Sequence, residues 1–326
     1  MLSKIVRRAV SRVRSLHTAP TRAVHLAHGP NGTLTELLVP RDSKEFSQLL
    51  HRSMALPELV LNKRQLCDLE LLLNGGFSPL KGFMNKGDYD AVVQHMRLRD
   101  NTLFPMPITL DVPDQKLQEI KERFGASGTP QLALRDEEGN TLAIMDVEEV
   151  WKPNKQAEAE LVFGGDPEHP AVVDLNTNTH NTYVGGKLHG LQLPPHYDYL
   201  AMRHTPRELR DIFTNQDWNH VVAFQTRNPL HRAHFELTLK ALEDDGAKLL
   251  LHPVVGKTKP GDIDHHTRVK CYREIMPKYP AGRAMLSVLP LAMRMAGPRG
   301  TVAVLPVVAI KLFPCVCSQI DADLGP

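Results

Sequence analysis

Ten residues, QTRNPLHRAH (225–234), hold the densest set of side chains in the chain that could do chemistry. Arg227 brings a permanently charged, planar fork of N–H donors, a shape that suits tetrahedral oxyanions. Gln225, Thr226 and Asn228 add neutral donors, and no carboxylate interrupts the run. His231 and His234 stand three apart, so in a helix they share one face. The run reads as a strand end entering a helix start, where free backbone N–H groups and the macrodipole favour negative charge. Together these residues form a receptacle for phosphate-type anions. Zinc ligation by the two histidines fits less well. Helical zinc pairs are usually spaced four apart with a glutamate between, and no third ligand lies nearby. Plain capping of the helix by histidines is the remaining alternative.

The elements that must position this run follow from the flanking residues. HVVAF (220–224) is a short apolar run suited to a buried parallel strand. Asn228 reads as an N-cap, Pro229 as a first helical residue and Gly246 as a terminator, which predicts a helix over 229–246. Leu230, Ala233, Leu237, Ala241 and Leu242 give that helix its buried face. KLLLHPVV (248–255) is the next strand, DHHTRVKCYREIMPKY (264–279) the next helix, with Asp264 as its cap, and AMLSVL (284–289) a third strand. This order predicts a parallel sheet, and ligands of such sheets sit at the carboxyl ends of the strands. Arg227, at a strand end, is expected to be removable without loss of the fold.

Other signals are weaker. GKT (256–258) lacks the earlier glycine of a phosphate-binding loop, since Leu251 stands there, and no GxGxxG follows a strand. His265 and His266 at a helix start read as solvated. Asp262 in the turn KPGDID (259–264) is open to facing a magnesium-bound phosphate.

Residues 36–190 read as mostly β, without regular helical units. Pro40, Pro57, Pro79, Pro105, Pro107, Pro113 and Pro130 interrupt the segment, and ITLDV (108–112), QLALRD (131–136) and LAIMDVEEV (142–150) read as strands. DEEGN (136–140) reads as a hairpin turn, and DQKLQEIKERFG (114–125) as one short helix ended by Gly125. LNGGFSPLKGFMN (73–85) predicts tight turns.

The whole sequence has 326 residues, 42% hydrophobic and 23% charged, which is ordinary globular usage and predicts two domains. No apolar run reaches the length of a membrane span. Cys67, Cys271, Cys315 and Cys317 are too scattered for a disulfide framework and read as reduced thiols. The net charge of +2 hides an asymmetry, because residues 1–35 carry Lys4, Arg7, Arg8, Arg12, Arg14 and Arg22 and no acid. Without those six, 33 basic residues face 37 acidic ones, a body near −4 with no footprint for nucleic acid. The leader interleaves arginine and serine with apolar residues near helical spacing, the composition of an organelle-targeting segment. It predicts a mitochondrial protein, with plastid or cytoplasm as alternatives.

QTRNPLHRAHFEL resembles the nucleotide-binding core of the ATP sulfurylase (sulfate adenylyltransferase) family. The resemblance continues through GGFSPLKGFM (75–84), LFPMPITLDV (103–112), VFGGDPEHPAV (162–172), GGKLHGLQLPPHYDY (185–199), KPGDIDHHTRV (259–269) and LPLAMRMAGPR (289–299). It implies a PUA-like β domain (28–190) followed by a Rossmann-like, parallel-sheet nucleotidyltransferase domain (191–299), incomplete at its C-terminal end, between a leader (1–27) and a divergent tail (300–326). It also implies conversion of ATP and sulfate to adenosine 5′-phosphosulfate and pyrophosphate, with Mg2+ entering on the ATP. Gln225 and Arg227 match the family's sulfate-binding positions. Thr226, Arg227 and Asn228 match its active-site triplet, and His231 and His234 match the pair that contacts ATP phosphates and stabilises the transition state, so that these five are the implied catalytic residues. All six positions are thereby implied in ATP binding, none holds a metal, and the family makes a homo-oligomer plausible.

After Arg299 the resemblance ends. The family's loop of the form G-R-D-H-A-G-P-G has no counterpart in residues 300–326. The alternative expectation is therefore a non-catalytic relative that binds ATP or sulfate, or that associates with full-length subunits. A fluorescent reporter fused behind residues 1–30 should collect in mitochondria; a cytosolic signal would count against the targeting reading.

Overall fold

The computed structural model describes residues 32–124, 130–243 and 246–294. The leader, the tail with Cys315 and Cys317, Arg299 and Gly125 lie outside the described residues. The first sheet comprises β1 (Glu58–Val60), β2 (Leu110–Val112), β3 (Gln131–Arg135), β4 (Thr141–Trp151) and β5 (Thr182–Gly190), in the order β1-β3-β4-β5-β2. Only β1 and β3 run parallel; the other pairs are antiparallel. The three expected strands are present as β2, β3 and β4. DEEGN joins β3 to β4, with Gly139 at φ +85° and the Asp136 carboxylate accepting from the Asn140 N–H at 2.7 Å.

The one helix expected in this region is present as Asp114–Phe124, but the expectation that the region otherwise lacks regular helices is wrong. It contains α1 (Lys44–Ser53), α2 (Lys63–Leu73), α3 (Lys86–His95), α4 (Asp114–Phe124), α5 (Lys155–Phe163) and α6 (Pro170–Thr177). The physical reason is clearest in α2, where Asp68, Leu69, Glu70, Leu71, Leu72 and Leu73 are all buried. A helix buried on every side has no polar face and so no 3.6-residue stripe to detect. Its start was legible in retrospect, because Asn62 and Gln65 form a reciprocal capping box. In α6 the proline begins the helix instead of breaking it.

The glycine-rich 73–85 segment lies along β5. A Cβ at Gly82 would meet the Gly186 carbonyl oxygen at 2.0 Å, so only glycine permits this approach.

The second sheet is fully parallel, with β6 (His220–Thr226), β7 (Ala247–Pro253) and β8 (Ala284–Leu286) in sequence order. On one face α7 (Pro206–Asn215) packs Leu209 and Phe213 with Trp218 on Val221, Ala223 and Leu250. On the other face, α8 (Arg232–Ala241) and α9 (His265–Ile275) enclose Phe224, Leu249 and Leu251 together with Leu242 and Tyr272. Helices on both faces of a parallel sheet give the doubly wound arrangement that the residue pattern predicted.

Beyond β8 the backbone returns to the first sheet, and Leu289, Leu291 and Met293 join its core. Arg294 donates to both carboxylate oxygens of Asp68 at 2.8 and 3.0 Å and to the Pro107 carbonyl at 3.0 Å. Asp68 also accepts from Arg64 at 3.1 Å, and Arg64 in turn pairs with buried Asp111.

GKT lies at this junction. Lys257 pairs with Asp174 at 2.9 Å, and a Cβ at Gly256 would stand 2.3 Å from the Leu291 oxygen and 2.9 Å from Cys67 Sγ. The glycine serves packing, not phosphate. Burial pushes the Cys67 thiol up to about 12, which leaves it inert at neutral pH. Replacing Gly256 by Ala should therefore destabilise the chain by about 1–3 kcal/mol through overpacking, read as a lower urea midpoint.

Candidate functional site

All six residues singled out by the sequence gather at the carboxyl end of β6. Gln225, Thr226, Arg227 and His234 are buried, Asn228 is half-buried and His231 is exposed. Strand alternation separates the first two. Gln225 lies in register with His252 of β7 on the α7 side, and Thr226 faces α8 and α9.

The helix after β6 begins later than the sequence predicts. It runs Arg232–Ala241 with His231 as N-cap and Leu242 as C-cap, so Asn228, Pro229 and Gly246 do not bound it. Competing hydrogen bonds explain the shift. Thr226 Oγ1 accepts from the Asn228 N–H at 3.0 Å, and the Asn228 carbonyl accepts from the Thr226 and Tyr272 hydroxyls. A carbonyl engaged in that way does not start the helical ladder, whose first bond runs from Phe235 N–H to the His231 carbonyl at 3.0 Å. The expected buried face is met in part, since Leu242 is buried and Leu230 and Leu237 pack on the same core. His234 and Thr238 are the buried residues of α8, and Ala233 is exposed.

His231 and His234 do share a face. Their rings stack with centroids 3.6 Å apart, and the His234 ring also packs on Phe224 at 5.6 Å. The stacked pair thus sits at the first turn of a helix, where the helix dipole is positive.

One expectation is overturned by the fold. The decapeptide has no carboxylate of its own, but the loop after β7 delivers one. Asp262 accepts from Arg227 Nη1 through both oxygens at 2.9 Å, and both side chains are more than nine-tenths buried. Arg227 is therefore half of a buried ion pair, and its removal would strand the Asp262 charge, contrary to the expectation that the fold tolerates its loss. Asp262 is equally committed to the pair in this structure. Only one edge of the guanidinium is taken, because Arg227 Nε is buried without a partner among the described residues. The Gln225 carboxamide is in the same state at both its oxygen and its nitrogen. Buried unpaired donors cost about 1–3 kcal/mol each, so such a pair at a strand end marks a place prepared for a ligand.

Sequence reasoning passed over the residues that hold this arrangement. Arg268, almost fully buried, donates to the Ile263 carbonyl at 2.8 Å and the Val254 carbonyl at 2.6 Å, clamping both ends of the loop that carries Asp262. Tyr272, on the same helix, holds the Asn228 carbonyl; burial pushes its phenol up to about 12, so it stays a donor. Their four-residue spacing on α9 was the available signal. His252 was also missed. Burial, with a smaller contribution from His204, pushes its imidazole down to about 3.

His252 makes stability depend on pH with a definite sign. Its folded value lies below the ordinary 6.5, so the unfolded chain takes up the proton first as pH falls. The stability due to the neutral ring is full above pH 6.5 and is lost progressively down to about pH 3. Urea midpoints measured between pH 7 and 5 should fall less steeply in His252→Gln than in the unaltered chain.

Comparison with known proteins places this geometry. The PUA-like domain model matches residues 27–193, and the ATP-sulfurylase model matches residues 201–306. A sulfate adenylyltransferase of Aspergillus oryzae is 51% identical over 275 residues, covering 84% of this chain and 47% of that protein. One from Eremothecium gossypii is also 51% identical over 275 residues, covering 84% of this chain and 53% of that protein. The chain thus spans about half the length of the curated relatives it matches. A solved structure described as a hexameric APS kinase from Thiobacillus denitrificans superposes with a TM-score of 0.72 at 32% identity, covering 92% of this chain and 54% of that one. With both domain models matched in order and relatives 51% identical across 84% of its length, the chain belongs to the ATP sulfurylase (sulfate adenylyltransferase) family.

Proposed function

We propose that this chain is a sulfate adenylyltransferase, in which a sulfate oxygen attacks the α-phosphorus of ATP, pyrophosphate leaves and adenosine 5′-phosphosulfate forms. The observation that carries the reading is the pair of buried, unpartnered donor groups, Arg227 Nε and the Gln225 carboxamide, at the carboxyl end of β6. Sulfate is fully deprotonated at neutral pH and needs no general base. The catalytic problem is to bring two anions together and to stabilise charge around phosphorus, which is positional and electrostatic work.

In this reading Arg227 and Gln225 hold the sulfate. Asp262 fixes the guanidinium by its other edge and partly offsets its charge. Thr226, Asn228, His231 and His234 line the path of the ATP phosphates, with the first turn of α8 behind them. Both Asp262 oxygens accept from Arg227 in this structure. Magnesium is assigned to the nucleotide, and no step is routed through a protein-held ion. A homo-oligomer is part of the proposal, supported by the hexamer named for the solved relative.

The test is sulfate-dependent exchange of labelled pyrophosphate into ATP by the purified chain with magnesium. Exchange is expected, and it should fall at least about a hundredfold in Arg227→Ala/Asp262→Asn, where both partners of the buried pair are neutralised together. A folded chain that binds ATP without exchange would favour the non-catalytic reading.

A further inference from the structure

Outside the anion receptacle, the described residues bring one set of metal-binding side chains together. Asp198, His265 and His266 each offer a ligand atom, and the three atoms lie within 4.8 Å of one another. His265 Nε2 is 2.7 Å from Asp198 Oδ2, and His266 Nδ1 is 3.7 Å from the same oxygen. In a tetrahedral zinc site with bonds of about 2.0–2.2 Å, ligand atoms stand about 3.3–3.5 Å apart, so modest side-chain movement closes the set.

The surroundings orient the ligands as metal sites require. Arg203 donates to Asp198 Oδ1 at 2.6 Å and to the Asp198 carbonyl at 2.9 Å, leaving Oδ2 as the free ligand atom. Such outer contacts fix a carboxylate in place and tune its affinity. The two imidazole rings lie 4.0 Å apart, and the Tyr199 hydroxyl donates to the His266 carbonyl at 3.2 Å. His266 is exposed and His265 and Asp198 are partly so, which leaves room for water at a fourth position.

We propose that Asp198, His265 and His266 form a zinc(II) site. Two imidazoles and one carboxylate make a borderline donor set suited to that ion, and not the all-oxygen set that magnesium or calcium takes. On binding, zinc replaces the proton that bridges His265 Nε2 and Asp198 Oδ2; that proton moves to Nδ1 or leaves to solvent. The site joins the segment before α7 to the first turn of α9, three residues beyond Asp262. Zinc would therefore stiffen the loop that orients Arg227. The proximity of Arg203 weakens the site, so an exchangeable ion is expected and not a permanently held one.

The experiment is calorimetric titration of the chelator-stripped full chain with zinc sulfate, unaltered and as His265→Ala/His266→Ala. The unaltered chain should take up one equivalent that the double variant lacks. Asp198→Asn, which keeps both histidines, should weaken that equivalent at least tenfold. Hydrogen exchange gives a second readout: zinc should protect backbone amides around residues 198–204 and 262–268 in the unaltered chain only. Both histidines lie at the surface, and near-ultraviolet circular dichroism checks that the variants fold. Equal uptake at equal affinity by the unaltered chain and the double variant would overturn the proposal, as would the absence of any binding.

Discussion

The ion pair between Arg227 and Asp262 is the constraint on which the second half of the molecule turns. A guanidinium placed by a strand end is costly to bury alone, and the carboxylate that offsets it comes from a loop 35 residues further on. That requirement dictates where the loop must go. Arg268 clamps the loop at Ile263 and Val254, Asp264 caps α9 by accepting from the Thr267 N–H at 2.9 Å, and Tyr272 on the same helix reaches back to Asn228. One pair of opposite charges thus sets the strand end, the loop and the following helix in a single arrangement. Because Asp262 takes only Nη1, the pair also aims the remaining edge of the guanidinium.

Much of this was legible in the residues. The β-α-β-α-β order of 220–289, the cap at Asp264 and the gathering of residues 225–234 at a strand end all follow from apolar runs, capping chemistry and the geometry of parallel sheets. Three strands of the first region, β2, β3 and β4, were readable as well, because buried strands leave short apolar runs between turn residues, whereas the three-residue β1 and the glycine-interrupted β5 were not singled out. Illegibility had two physical sources. Helices such as α2 are surrounded by protein, so their sequence lacks the polar face that reveals a helix. And the pairings that decide the electrostatics, Arg227 with Asp262 and Arg294 with Asp68, join residues far apart in sequence, where no local spacing betrays them.

Local competition explains the misplaced start of α8. Asn228 and Pro229 are sound helix-start residues, but the Thr226 hydroxyl and the Tyr272 phenol claim the backbone groups that a cap needs. The outcome is five residues of irregular backbone, 227–231, between β6 and α8. The Asn228 peptide groups are bonded to the Thr226 and Tyr272 hydroxyls instead of closing helical rings. GKT, which Leu251 already argued against as a phosphate loop, is explained by packing at Gly256.

The contact between Arg294 and Asp68 spans 226 residues of chain. A ribosome adding about 5–20 residues each second completes Asp68 roughly ten to forty-five seconds before Arg294 exists. Throughout that interval the nascent first domain carries Asp68 with Arg64 as its only arginine partner of the two. The groove that later receives Leu289, Leu291 and Met293 stays open for the same time. Vectorial synthesis therefore leaves this half of the molecule unfinished until the last strand of the second sheet has emerged and folded back, a window in which a holding chaperone has an apolar surface to grip.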